Sequence, residues 1–99
     1  MIKITRTSTR PNTDIPFFSP EKSFNDYFVK TYVETGKVTR AETTLSEDGL
    51  TKTVVNLYSS EADMIEARDD AVVIDGYITK SVIYNNENGI TSTVLVEQN

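Results

Sequence analysis

Residues 37–58, KVTRAETTLSEDGLTKTVVNLY, decide the fold. Two β-rich runs flank Ser46-Glu47-Asp48-Gly49-Leu50. That centre suits a three-residue loop, with Glu47 and Asp48 in a type I turn and Gly49 in the left-handed region that glycine enters without a Cβ penalty. The hairpin then closes with a G1 bulge. In its register Ser46 faces Leu50, Leu45 faces Thr51, Thr43 faces Thr53, Ala41 faces Val55 and Thr39 faces Leu57. This set is small and mostly apolar, and reads as the face under the helices. The other face carries Val38, Arg40, Glu42 and Thr44 opposite Tyr58, Asn56, Val54 and Lys52. A slip of one residue would mix the two sets, so the pattern itself argues for the register.

Upstream of the hairpin, Ser19-Pro20-Glu21 reads as a helix start, with Ser19 as N-cap, Pro20 at the first helical position and an acid in the first turn. Phe24, Tyr27, Phe28, Thr31 and Tyr32 recur at helical spacing, and Thr35-Gly36 supplies the stop. Before that helix, residues 1–8, MIKITRTS, alternate like a strand, with Ile2 and Ile4 on one side and Lys3, Thr5 and Thr7 on the other. A loop with Pro11 and Pro16 follows. Arg6 and Arg10 bracket it and read as two solvated arginines rather than an anion clamp.

Downstream, Ser59 or Ser60 caps a helix through Asp63, Met64, Ile65, Ala67 and Arg68. Its carboxylates lack the spacing of a calcium loop and read as a solvated face. Residues 71–86 allow two readings. Asp70 as cap, the Ile74–Ile78–Val82 ladder and the Asn88-Gly89 stop with Ile90 behind it favour a helix. Gly76 and the β-branched content favour a strand over 77–84. The helix is the better supported. Residues 90–97, ITSTVLVE, form the last strand.

The 99 residues are expected to form a single α+β domain, 1–99, with ferredoxin-like βαββαβ order. Four antiparallel strands then carry helices on one face, and the second crossover comes in two helical pieces. The uncovered face would present Lys3, Thr5, Arg40, Glu42, Lys52, Asn56, Tyr58, Thr93 and Leu95.

Composition narrows the chemistry. A net charge of −5 and a pI of about 4.6 argue against nucleic acid and against an anionic membrane surface. His and Cys are both absent, which removes imidazole catalysis, thiolate nucleophiles, ordinary zinc sites and His-ligated haem. No metal or cofactor is expected. A hydrophobic fraction of 37% is low for a self-sufficient globule of this length, so burial against a second copy is one remedy. With no signal-like or membrane-spanning run, the expectation is a soluble, cytoplasmic protein.

The terminal strand MIKITRTS, the hairpin around Ser46–Gly49 and the helical stretch ending YNNENGI together resemble the dimeric α+β barrel superfamily, and in particular its small members from phage and environmental sequences. The resemblance implies a homodimer with two sheets apposed across their uncovered faces. It also brings in cofactor-free monooxygenases of the antibiotic-biosynthesis type, isomerases and haem-degrading enzymes. The last of these need an axial His that this chain lacks.

Two functions follow as expectations. The first is a homodimeric binding or accessory module without catalysis. The alternative is a cofactor-free monooxygenase- or isomerase-like enzyme with a small ligand in the barrel interior. Its candidate pocket is Arg40, Glu42, Lys52, Asn56 and Tyr58, with Glu42 as base and Arg40 or Lys52 holding an anionic substrate. Cross-strand charge pairing on a wet sheet face is the plainer account of the same cluster.

Overall fold

A computed structural model describes residues 1–98. Strand β1 (Ile2–Thr9) leads through a loop into helix α1 (Lys22–Phe28), which continues as a π-helical turn over Val29–Val33. The hairpin β2 (Val38–Leu45) and β3 (Thr51–Tyr58) follows. Next come α2 (Glu61–Asp69), α3 (Ala71–Val73), a second π-helical turn (Ile74–Ile78) and α4 (Thr79–Asn88). Strand β4 (Thr91–Gln98) ends the described chain. The sheet order is β2-β3-β1-β4, with every pair antiparallel. This is the ferredoxin-like arrangement, with helices on one face only.

Residues 71–86 are helical, and the local signals explain why. The Asp70 side chain accepts from the Val72 N–H, and Gly89 closes the run at φ 68° while the Ile90 N–H reaches back to the Asn85 carbonyl. Gly76 is there for space rather than for turn geometry. A Cβ at that point would lie 2.7 Å from Phe24 Cδ1, so the glycine lets α1 and the second helical run approach closely.

Three expectations need correction. The first is the turn. Ser46 pairs with Thr51, not Leu50, and the loop has four residues. The Leu50 N–H is taken by the Asp48 carboxylate and its carbonyl by the Arg10 N–H, so Leu50 is drawn toward the end of β1. The register is one residue off near the turn and returns to the expected Thr39–Leu57 pairing beyond a β-bulge at Ala41.

The second is the identity of the covered face. Ile2 pairs with Tyr58 and Arg6 with Val54, so the Ile2 face of β1 continues onto Val54, Asn56 and Tyr58 of β3. That face lies under the helices: Tyr58 packs against the core, and Arg40 sits 5.4 Å from the Phe28 ring centroid. The uncovered face carries Lys3, Thr5, Thr7, Thr39, Glu42, Thr53, Thr93 and Leu95. The bulge is what places Glu42 on the side opposite Arg40.

The third is the start of α1. The helix begins at Lys22, and Glu21 precedes it in extended backbone without a side-chain cap. The segment before it is held across α4: the Tyr84 hydroxyl donates to the Pro16 carbonyl at 2.5 Å, and Glu21 reaches Lys80 at 3.6 Å.

The core gathers at one end of the helix–sheet interface. Phe28, Tyr32, Val38, Ala67 and Val73 are buried together, with Phe24, Tyr27 and Tyr58 packed around them. Tyr27 and Tyr32 both donate to the Asp70 carboxylate, at 2.7 and 2.5 Å, which ties α1 to the break between α2 and α3.

Candidate functional site

At the other end of the same interface the layers do not close. A cleft of about 50 Å³ lies between them, lined by Arg6, Ser8 and Ser92 from β1 and β4, Lys52 and Val54 from β3, Phe17 and Phe18 from the first loop, and Tyr77, Ser81 and Asn85 from the second helical run. Strand alternation delivers the sheet residues. Ile2, Ile4, Arg6 and Ser8 share a face, and their partners are Tyr58, Asn56, Val54 and Lys52.

The electrostatics of the cleft run against those of the whole chain. Among 15 Asp and Glu residues none lines it, yet two cations do. The Arg6 guanidinium lies 5.5 Å from the Tyr77 ring centroid, and the Lys52 ammonium 5.8 Å from that of Phe17. Neither makes a hydrogen bond or ion pair among the described residues. The cation–π contacts are worth roughly 0.5–1 kcal/mol each in a partly wet site. They position the charges without neutralising them.

Other polar groups here also lack partners. The side chains of Tyr77 and Asn85 make no hydrogen bond among the described residues; outside the cleft, further along the covered face, the buried Asn56 Oδ1 has none either. A buried acceptor left unmade ordinarily costs about 1–3 kcal/mol. Ser81 and Ser8 are occupied, Ser81 donating to the Ile78 carbonyl and Ser8 to the Ser92 hydroxyl. Burial raises the pKa of the neighbouring Tyr58 hydroxyl, and the positive charge of Arg6 works against that rise. Tyr58 therefore stays a neutral phenol near pH 7.

Phe18 packs edge-on against Tyr77 at 5.6 Å and at a tilt against Tyr84 at 5.7 Å, which ties the first loop to the second helical run. Arg10 is the second clasp on this loop. Its guanidinium donates to the Gly49 and Ile15 carbonyls at 2.9 Å each and lies 4.4 Å from the Phe17 ring centroid. Neither Arg6 nor Arg10 is simply solvated: Arg10 is a structural tie, and Arg6 points into the cleft.

The residues named as a pocket from sequence are divided by the fold. Lys52 lines the cleft. Asn56 and Tyr58 lie further along the same covered face, and Arg40 joins them there but is engaged, donating to Asn25 Oδ1 at 3.1 Å. Glu42 stands on the opposite side of the sheet, so no carboxylate base accompanies the cations. Arg6, Ser8, Tyr77, Ser81, Asn85 and Ser92 were not in the sequence set. Arg6 and Ser8 had a readable signal, since they continue the Ile2–Ile4 alternation onto the covered face. No three His, Cys, Asp or Glu side chains converge on a metal-sized site among the described residues.

No protein-family model matches the sequence, and no curated protein matches it. Solved structures do match in fold. A Deinococcus radiodurans protein inferred to be an antibiotic biosynthesis monooxygenase superposes with a TM-score of 0.59 at 7% identity, over 100% of this chain and 92% of that one. An antibiotic biosynthesis monooxygenase gives 0.56 at 12% identity, over 100% and 98%. A dimeric ferredoxin-like protein from an uncultured marine organism gives 0.54 at 12% identity, over 97% and 92%. At these identities the likeness is one of fold. No helix among the described residues is long and apolar enough to cross a membrane.

Proposed function

We propose that this protein is a homodimeric small-ligand-binding module of the dimeric α+β barrel type, each copy holding its ligand in the cleft between helices and sheet. The observation that carries this reading is the cleft itself, where Arg6 and Lys52 converge with no carboxylate and Asn85 and Tyr77 have unpartnered polar groups. These half-buried groups face the cleft rather than a neighbour, and a concave site with a few convergent polar groups beside aromatic rings is the arrangement a small-ligand pocket uses. The homodimer is supported by the uncovered sheet face, with Leu95 57% exposed upon it, and by the dimeric neighbour. The monooxygenase names of the other neighbours favour catalysis as the second reading. An enzyme of that kind would act here through Arg6, Lys52, Tyr77 and Asn85 rather than through Glu42.

The two parts of the reading separate experimentally. Light scattering should give a mass near twice 11.1 kDa, and Leu95→Glu should halve it while the circular dichroism spectrum is kept. The cleft lies within one copy, so aromatic fragments should still shift the amide resonances of Ser81 and Asn85 in the Leu95→Glu protein. A monomeric wild type would remove the dimer, and silent cleft resonances against a broad fragment set would remove the ligand.

A further inference from the structure

We infer that the cleft is selective for charge, and that its ligand presents a carboxylate to Arg6 and Lys52 and an unsaturated ring to Phe17 and Phe18. This deepens the ligand-binding reading and rests on it.

An arginine left without a carboxylate in an acidic protein calls for an account. Of the 10 basic residues, Lys22, Lys37, Arg68 and Lys80 pair with carboxylates and Arg10 and Arg40 donate to neutral oxygens; of the four left, Lys3, Arg6, Lys30 and Lys52, two line the cleft. Arg6 and Lys52 are turned instead toward rings in a half-enclosed space whose remaining polar groups are neutral. A resident carboxylate would cancel these charges. The absence of one from the lining leaves a net positive potential inside a molecule of net charge −5.

Shape narrows the anion. Guanidinium is planar and pairs with a carboxylate through two parallel N–H donors, and an ammonium adds a point charge beside it. Asn85 and Ser92 can supply neutral hydrogen bonds. Phosphate sites more often draw on free backbone N–H groups at a helix start or in a nest. Here the sheet wall of the cleft is built from β1, β3 and β4, whose lining residues pair within the ladders. The volume sets the size. About 50 Å³ takes a head group, whereas whole drug-sized ligands occupy pockets of roughly 300–1,000 Å³. The ring of the ligand therefore lies against the half-exposed Phe17 and Phe18 rather than inside the cleft.

The test compares benzoate, its neutral isostere benzamide and inorganic phosphate, by titration of the amide spectrum and by calorimetry at low salt. Benzoate should shift Ser8, Ser81, Asn85 and Ser92 and bind at least about ten-fold more tightly than benzamide, the least that a charge-assisted hydrogen bond contributes. Arg6→Gln should erase that preference while the rest of the spectrum is unchanged, and Arg6→Lys should retain part of it. Equal binding of benzoate and benzamide at the cleft would overturn the charge selectivity and leave a ligand site standing. Phosphate binding as tightly as benzoate would overturn the carboxylate assignment. No shift with any of the three, in a folded wild type, would take down this inference together with the ligand-binding reading.

Discussion

The two ends of one helix–sheet interface differ more than any two elements of this fold. At the β2 end, Tyr32 and Val38 are 2% and 1% exposed, and Asp70, drawn against them, accepts from two tyrosines. At the β1–β4 end the layers part around Arg6 and Lys52, and the side chains of Tyr77 and Asn85 stay open. The same architecture is thus packed at one end and held apart at the other. Apolar area closes the first end, at about 25 cal/mol per Å². The rings of Phe17, Phe18 and Tyr77 prop the second. Stability belongs to one end and selectivity to the other, and the comparison can be broken from either side.

The largest effect is expected at the packed end. Tyr32→Ala removes a fully buried ring and one of the two bonds to Asp70, and should cost about 3–5 kcal/mol. Small domains hold only roughly 5–15 kcal/mol in all, so the urea midpoint should fall by a large fraction of its value. A loss under about 1 kcal/mol would mean that Tyr32 is not the keystone of this end.

A middling effect should appear in acid. Burial alone would raise the Asp70 pKa, but the hydrogen bonds from Tyr32, Tyr27 and the Val72 and Val73 N–H groups outweigh it and hold the carboxyl below its ordinary range. A group depressed in the fold contributes stability that is present above the unfolded value near 3.9 and is lost as pH falls through the folded value. Urea unfolding at pH 7 and pH 3 should therefore show wild type losing more stability than Asp70→Asn. Equal losses would mean that the tyrosines hold a protonated carboxyl just as well.

The sequence was most readable where structure is made locally. Asp70 as cap, Asn88-Gly89 as stop and the alternation of β1 depend on neighbours within a few residues, and each appears in the fold. The hairpin faces were harder. Thr39 and Leu57 look more apolar than Arg40 and Asn56, yet the latter pair lies on the helix side, where Leu45 joins Lys52 once the register has shifted at Ala41. What decides the face is the pairing of Ile2 with Tyr58, a contact 56 residues apart along the chain. The Ala41 bulge has no local signature, and it alone separates Glu42 from Arg40. The sequence did group Arg40, Lys52, Asn56 and Tyr58 on one face. It could not show that Tyr77, Asn85 and Ser92 meet Arg6 there, since four separate elements supply them.

The smallest effect belongs to the open end, and it is the sharpest check on the contrast. Lys52→Met keeps the length of the side chain and its contact with Phe17 but removes a charge that nothing in the fold neutralises. Substitutions that leave no buried group unpaired fall within about 0.5 kcal/mol of wild type. The urea midpoint should therefore hardly move, or rise a little as the apolar stem settles against the ring. If Lys52→Met instead cost as much as a core truncation, the ammonium would be part of the packing, and the two ends of the interface would be one core after all. If stability holds while benzoate binding weakens, the cations at this end serve a ligand and not the fold.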